Sequence, residues 1–125
     1  MTINDGKTLS YTTTGDATYY ARFSPGVRQT FVRKLKSGDS WIDITDDSIG
    51  KLNTYSHFDV KGKVVSSTAT VGTYYQFEGW YDSGGNKVAD SMTSNNGKTL
   101  RYTTTGDATY IARFSRRNVT QKYIR

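Results

Sequence analysis

The sequence predicts a mainly β protein, built from small antiparallel sheets with at most one short helix. Three observations predict it. Apolar and polar residues alternate with a period of two through most of the chain, as on strands with one buried face. The strand formers Thr, Tyr and Val are abundant throughout. Turn residues punctuate the alternating runs at Thr14-Gly15-Asp16, Ser37-Gly38-Asp39, Ser83-Gly84-Gly85-Asn86 and Gly106-Asp107.

Taken in order, residues 8–12 and 17–23 read as two strands of a hairpin turning at Gly15-Asp16. Strands follow at 28–35, 41–45, 55–60, 63–70 and 74–80, with a short one near 87–89. The hairpin recurs at 99–104 and 108–114, turning at Gly106-Asp107. That turn would bring Leu100 and Tyr102 opposite Ile111 and Phe114. Residues 46–52 form the one plausible helix. Asp46 or Asp47 would cap it, and Gly50 would limit it to a turn or two. Phe77 and Trp80 stand three apart and would face opposite sides of a regular strand. A bulge at Gly79 would return Trp80 to the core.

The recurrence is a true internal repeat. Residues 1–24 and 92–115 align at an offset of 91 and differ at only four of 24 positions: Ile3/Ser94, Asp5/Asn96, Ser10/Arg101 and Tyr20/Ile111. Weaker similarity continues beyond, with VRQTFVR at 27–33 matching VTQKYIR at 119–125. The phasing makes 1–24 the tail of a preceding unit, 25–115 one full unit and 116–125 the first strand of a following one. The chain therefore reads as a slice of a longer array. Its two hairpin copies would be interchangeable beside the strands of 28–70, within a chain or between chains, which allows a strand-swapped homo-oligomer.

Composition narrows the function. Apolar residues are 34% and aromatics 14%, ten of them tyrosine, a mix suited to thin half-buried sheets rather than a large enzyme core. Cysteine is absent from the sequence, so disulfides, thiolate metal sites and a cysteine nucleophile are excluded. The net charge of +6 permits contact with acidic polymers. No apolar run is long enough to span a membrane. No leader is visible at Met1 and no anchor at Arg125, so export signals would lie elsewhere in a parent chain.

The candidate chemistry is sparse. His57 with Asp59 supplies two parts of a hydrolytic triad, but a lone histidine on a strand edge is the plainer reading. Asp43, Asp46 and Asp47, and the Asp82-Ser83-Gly84-Gly85-Asn86 turn, lack the spacing of a calcium loop and suit capping and turns better. Basic residues gather at the repeat junctions: Arg28, Arg33, Lys34 and Lys36 open the full unit, and Arg116, Arg117, Lys122 and Arg125 open the next. They could contact a polyanion such as a wall polymer or a glycan. Nucleic acid is not expected, because the aromatics of these runs, Phe31 and Tyr123, would point inward. Asn118-Val119-Thr120 is a formal glycosylation sequon and is given no weight.

Residues 75–115 carry a familiar pattern. An aromatic strand leads into Phe77-Glu78-Gly79-Trp80-Tyr81-Asp82. A Gly-rich turn and Lys87-Val88 follow, and the segment closes with Gly106, Asp107 and Ala108-Thr109-Tyr110-Ile111-Ala112-Arg113-Phe114. This resembles the internalin-type B-repeat family (Listeria–Bacteroides repeats) of bacterial surface proteins. The resemblance covers the second half of the unit and its echo in 1–24. Residues 27–65 match it poorly. It implies a β-grasp-like repeat, neighbouring repeats of the same chain as partners, and an extracellular, cell-wall-attached location. It carries no cofactor and no catalytic residues. The function expected is a stalk or spacer repeat rather than an enzyme. The alternative is an adhesive module for a glycan, wall polymer or host protein.

Overall fold

A computed structural model describes residues 2–3, 6–23 and 25–117, with side chains from residue 6 onward. The strands are β1 (Thr2–Ile3), β2 (Thr8–Leu9), β3 (Gly26–Ser37), β4 (Ser40–Asp43), β5 (Gly50–Leu52), β6 (Ser56–Val60), β7 (Val64–Val71), β8 (Tyr75–Asp82), β9 (Thr93–Ser94), β10 (Thr99–Thr103) and β11 (Ala108–Arg116). One 3-10 turn spans Asp90–Met92. The protein is mainly β, as the alternation predicts.

The long strand β3 organises a five-stranded sheet. Its first half pairs with β6 and its last residues with β4, both on one edge. Its other edge pairs with β11, which in turn pairs with β8. A four-stranded sheet runs β5-β7-β10-β9. The two sheets share one core. Phe31, Leu35, Trp80, Ala112 and Phe114 come from the larger sheet, and Leu52, Val65, Ala69 and Leu100 from the smaller. Close packing shows at Gly50, where a Cβ would collide with the Phe114 ring. The indole N–H of Trp80 donates to the Lys98 carbonyl at 3.0 Å, so the fully buried ring leaves no polar atom unpaired.

The bulge predicted at Gly79 is present. Gly79 pairs with Arg113 while Phe77 pairs with Phe114, which leaves Glu78 as the extra residue, and Gly79 takes φ of 131°. The reset puts Phe77 and Trp80 on the same side, their ring centroids 6.1 Å apart.

Four expectations need correction. First, the sheets are not all antiparallel: β3 and β11 lie side by side and parallel. Second, residues 46–52 are not a helix. The Asp46 side chain accepts from the backbone N–H and hydroxyl of Ser48, closing a turn, and Gly50–Leu52 then joins β7 as a strand. An aspartate can open either a helix or such a turn, and here the edge of β7 offered the strand a partner. Third, the run at 87–89 shrinks to a single bridge between Tyr81 and Lys87.

Fourth, the repeated segment is not a hairpin of its two long strands. β10 pairs with β7 and β9, whereas β11 crosses to the other sheet. Leu100 and Phe114 meet across the core instead of along a ladder. The crossing is held at both ends: Thr104 N–H donates to the Lys63 carbonyl, and Asp107 accepts from the N–H of Arg28 at 2.8 Å. In the first copy, only Thr8–Leu9 of the expected strands forms, paired with Thr2–Ile3.

The same topology removes one route to interchange. If residues 17–23 took the place of β11 on their own chain, Phe23 would lie level with Leu35, as Phe114 does. Gly26 sits nine residues back along β3, about 30 Å away at ~3.3 Å per residue. Three Cα steps join Phe23 to Gly26, a reach of at most about 11 Å. The first copy cannot fill that slot in its own chain.

Candidate interaction face

Even-numbered residues of β3 point away from the core. Arg28, Thr30, Val32, Lys34 and Lys36 share the outer face of the large sheet with Ile111 and Arg113 of β11, Tyr81 of β8, Trp41 of β4 and Phe58 of β6. The centre of this face is the Arg113 guanidinium. It lies between two rings, 4.0 Å from the Tyr81 centroid and 4.6 Å from that of Trp41. Its Nε is buried without a hydrogen-bond partner. Arg28 repeats the theme at the margin, 5.0 Å over Phe58, while donating to Ser56 Oγ.

At one end of the face, Lys36, Trp41, Gln76, Glu78, Ser115 and Arg116 line a shallow groove of about 230 Å³. Glu78 accepts from the Ser115 hydroxyl and from Gln76, and these bonds hold its carboxyl below the usual range. The groove therefore mixes one fixed carboxylate with two cations. A larger concavity of about 360 Å³ sits behind the bulge, between Phe77, Gly79, Trp80, Lys87 and the 3-10 turn.

The basic residues singled out from sequence do not form one patch. Arg33 faces the other way, only 11% exposed. It pairs with Asp47 at 2.8 Å, donates to the Gly50 carbonyl and stacks 4.9 Å from the Tyr55 ring, so its charge is committed inside the fold. Lys34 stands 3.8 Å from Asp43. Arg117 donates to the Thr73 carbonyl. Arg28, Lys36 and Arg116 are exposed, Arg28 while held against Phe58 and Ser56. Lys122, Arg125 and the sequon at Asn118 lie outside the described residues.

The acidic candidates separate as well. Asp43, Asp46 and Asp47 each turn to a different partner, and the Ser48 bonds hold Asp46 below the ordinary carboxylate range. The Asp82 carboxylate accepts from the N–H groups of Gly84 and Asn86, closing its turn. His57 and Asp59 are same-face neighbours on β6, 3.8 Å apart at the surface. No group of three metal-ligating side chains occurs among the described residues.

The motif residues Phe77, Gly79, Trp80, Tyr81, Gly106, Asp107 and Phe114 come together as structure. Phe77, Trp80 and Phe114 form the aromatic heart of the core. Gly106 and Asp107 tie the crossing to β3, and Tyr81 flanks Arg113.

Sequence reasoning missed Gln29, Trp41 and Arg113. Gln29 is fully buried, accepts from the Tyr102 hydroxyl and donates to the Gly106 carbonyl at 2.8 Å. One signal was present, because VRQTFVR and VTQKYIR keep glutamine at the same place. Arg113 lay inside the repeated Ala-Arg-Phe motif, but nothing in the sequence placed two rings beside it.

Compared with protein-family models, curated proteins and solved structures, the chain matches none. No helix among the described residues is long and apolar enough to cross a membrane.

Proposed function

We propose that the chain is a load-bearing spacer repeat of a bacterial surface protein, wall-attached and extracellular. One observation carries the reading. β3 and β11 are parallel neighbours, and the full unit is entered at the start of β3 and left at the end of β11. Tension between these ends pulls the two strands past each other. Their ladder then shares the load and breaks together instead of opening bond by bond. The near-identical duplication and the resemblance to B-repeats support the same reading, with neighbouring repeats as the partners.

Single-molecule stretching tests it, and the lack of cysteine lets handles be placed freely. With Pro25→Cys and Arg117→Cys handles the unit should open in one high-force step. With Pro25→Cys and Thr105→Cys handles β11 is peeled from one end, and the force should drop severalfold. Equal forces in both geometries would refute a load-bearing role.

A second reading is favoured by the Trp41, Arg113 and Tyr81 stack with Arg28, Lys36 and Arg116 around it. That face suits an acidic glycan, a wall polymer or an acidic host protein, and the chain would then be an adhesive module. Passage over immobilised acidic polysaccharide at low salt without retention removes it.

A further inference from the structure

The turn between β9 and β10 holds the only Asn-Gly step in the sequence, Asn96-Gly97. Asparagine before glycine is open to attack from its own backbone. The next main-chain nitrogen can reach the side-chain amide carbon and close a five-membered ring, and glycine has no Cβ to stand in the way. The Asn96 side chain is exposed. Among the described residues, no backbone acceptor meets the Gly97 N–H, and a Cβ at Gly97 would meet nothing within 4 Å. Other asparagines are tied down. The Asn53 side chain accepts from the Thr68 N–H at 2.8 Å, and Asn86 is bonded to Asp82 through both its N–H and its carbonyl.

The turn is also weakly held. Asn95, Asn96 and Gly97 run left-handed at φ of 56°, 58° and 81°, a conformation that side chains avoid. One backbone bond, from the Lys98 N–H to the Asn95 carbonyl at 3.2 Å, closes it above a two-residue ladder. Such a turn opens locally at small cost, which lets the Gly97 nitrogen swing onto the Asn96 side chain. The first copy shows that the sequence accepts the acid at this step. It carries Asp5-Gly6, and this is the only one of the four differences that hydrolysis of an amide produces. Gly6 keeps φ of 78° beside the same ladder.

We propose that Asn96 is a site of spontaneous deamidation, a slow one-way change of charge on this unit. The Gly97 nitrogen gives up its proton to solvent base and bonds to Cγ of Asn96. The Cγ–Nδ2 bond breaks, and the amide nitrogen takes up a proton and leaves as ammonia. Water then opens the succinimide at one of its two carbonyls. Opening at Cγ gives aspartate, and opening at the main-chain carbonyl gives isoaspartate with the chain rerouted through Cγ. The new carboxylate stands between two concavities. Asn96 lines the one that holds Lys87 and a second, of about 420 Å³, that holds Lys98 and Arg117. Each event takes one unit from the net charge of +6 at a place where three cations gather.

Ageing the unaltered chain in warm, mildly alkaline buffer tests the proposal. Trypsin releases residues 88–98 as one peptide, and fragment masses separate Asn95 from Asn96. The Asn96 amide should turn to acid severalfold faster than those of Asn53, Asn86 and Asn95. Isoaspartate should outweigh aspartate, and the rate should rise with pH because the Gly97 nitrogen must lose its proton. Asn96→Gln should keep its amide, since the longer side chain closes the ring poorly. The proposal is overturned if Asn96 keeps its amide over the time in which the free peptide of residues 88–98 loses it. It is also overturned if Asn53 or Asn86 converts as fast, or if Asn96→Gln does. Aspartate as the sole product would overturn it too, because that means direct hydrolysis without the Gly97 nitrogen.

Discussion

Residues 2–23 and 93–114 pose nearly one sequence, differing at four positions, in two settings. Both make the same two-residue ladder about a left-handed glycine, Gly6 at φ of 78° and Gly97 at 81°. Both bring their paired tyrosines within 5 Å. They part company at the long strands. Residues 99–103 and 108–116 form β10 and β11 because β7, β3 and β8 offer ladder partners. Residues 10–12 and 17–23 adjoin no such edges and form no strand. A turn and a tyrosine contact need only nearby residues, whereas a long strand needs neighbours contributed from elsewhere.

Paired substitutions can break or sharpen that contrast. Phe114→Ala should show the largest effect, a loss of about 3–5 kcal/mol from the emptied core. Phe23→Ala should change stability by under about 0.5 kcal/mol, because its ring is in solvent. Equal losses in denaturant titrations would mean that the first copy is packed after all. Next comes Tyr102→Phe, which leaves the buried Gln29 carbonyl oxygen without its donor and should cost about 1–3 kcal/mol. Tyr11→Phe removes a hydroxyl from an exposed ring and should cost nothing measurable.

The smallest effect lies in alkaline pH. Burial raises the hydroxyl pKa of both Tyr102 and Tyr110, with the neighbouring Tyr110 adding to the rise in Tyr102 and the Asp82 carboxylate adding to the rise in Tyr110. A group whose pKa is raised by folding favours the folded state while it stays protonated. The contribution is complete below the free value of 10.0 and is lost as pH climbs from there toward the raised one. Phenolate absorbance and tryptophan emission should therefore move together above pH 10. Full tyrosine ionisation with no change in tryptophan emission would place these two rings outside the core.

Much of the fold was legible because it depends on local chemistry. The strands of the unique region fall close to their alternating runs. The bulge followed from the Phe77, Gly79 and Trp80 spacing, since only a reset of the pleat lets both rings face inward. The crossing between β10 and β11 was not legible. Two alternating strands joined by Gly106-Asp107 look alike whether they pair with each other or separate into two sheets. What separates them is remote: the Lys63 carbonyl holds Thr104, and Arg28 holds Asp107. The candidate face was legible only in part. The positive charges were visible, but strand parity turned Arg33 inward and set Arg113 between Trp41 and Tyr81.

The sequence by itself determined the β class, the duplication of residues 1–24 in 92–115 and the turns. Each of these rests on backbone preferences and contacts within a few residues. Only the tertiary structure decided that β10 and β11 are buried against partner strands, that β3 and β11 run parallel, and that the first copy cannot reach the slot held by residues 92–115. Those outcomes depend on where β3 starts relative to Leu35, and a chain can bridge about 11 Å in three steps but not about 30 Å.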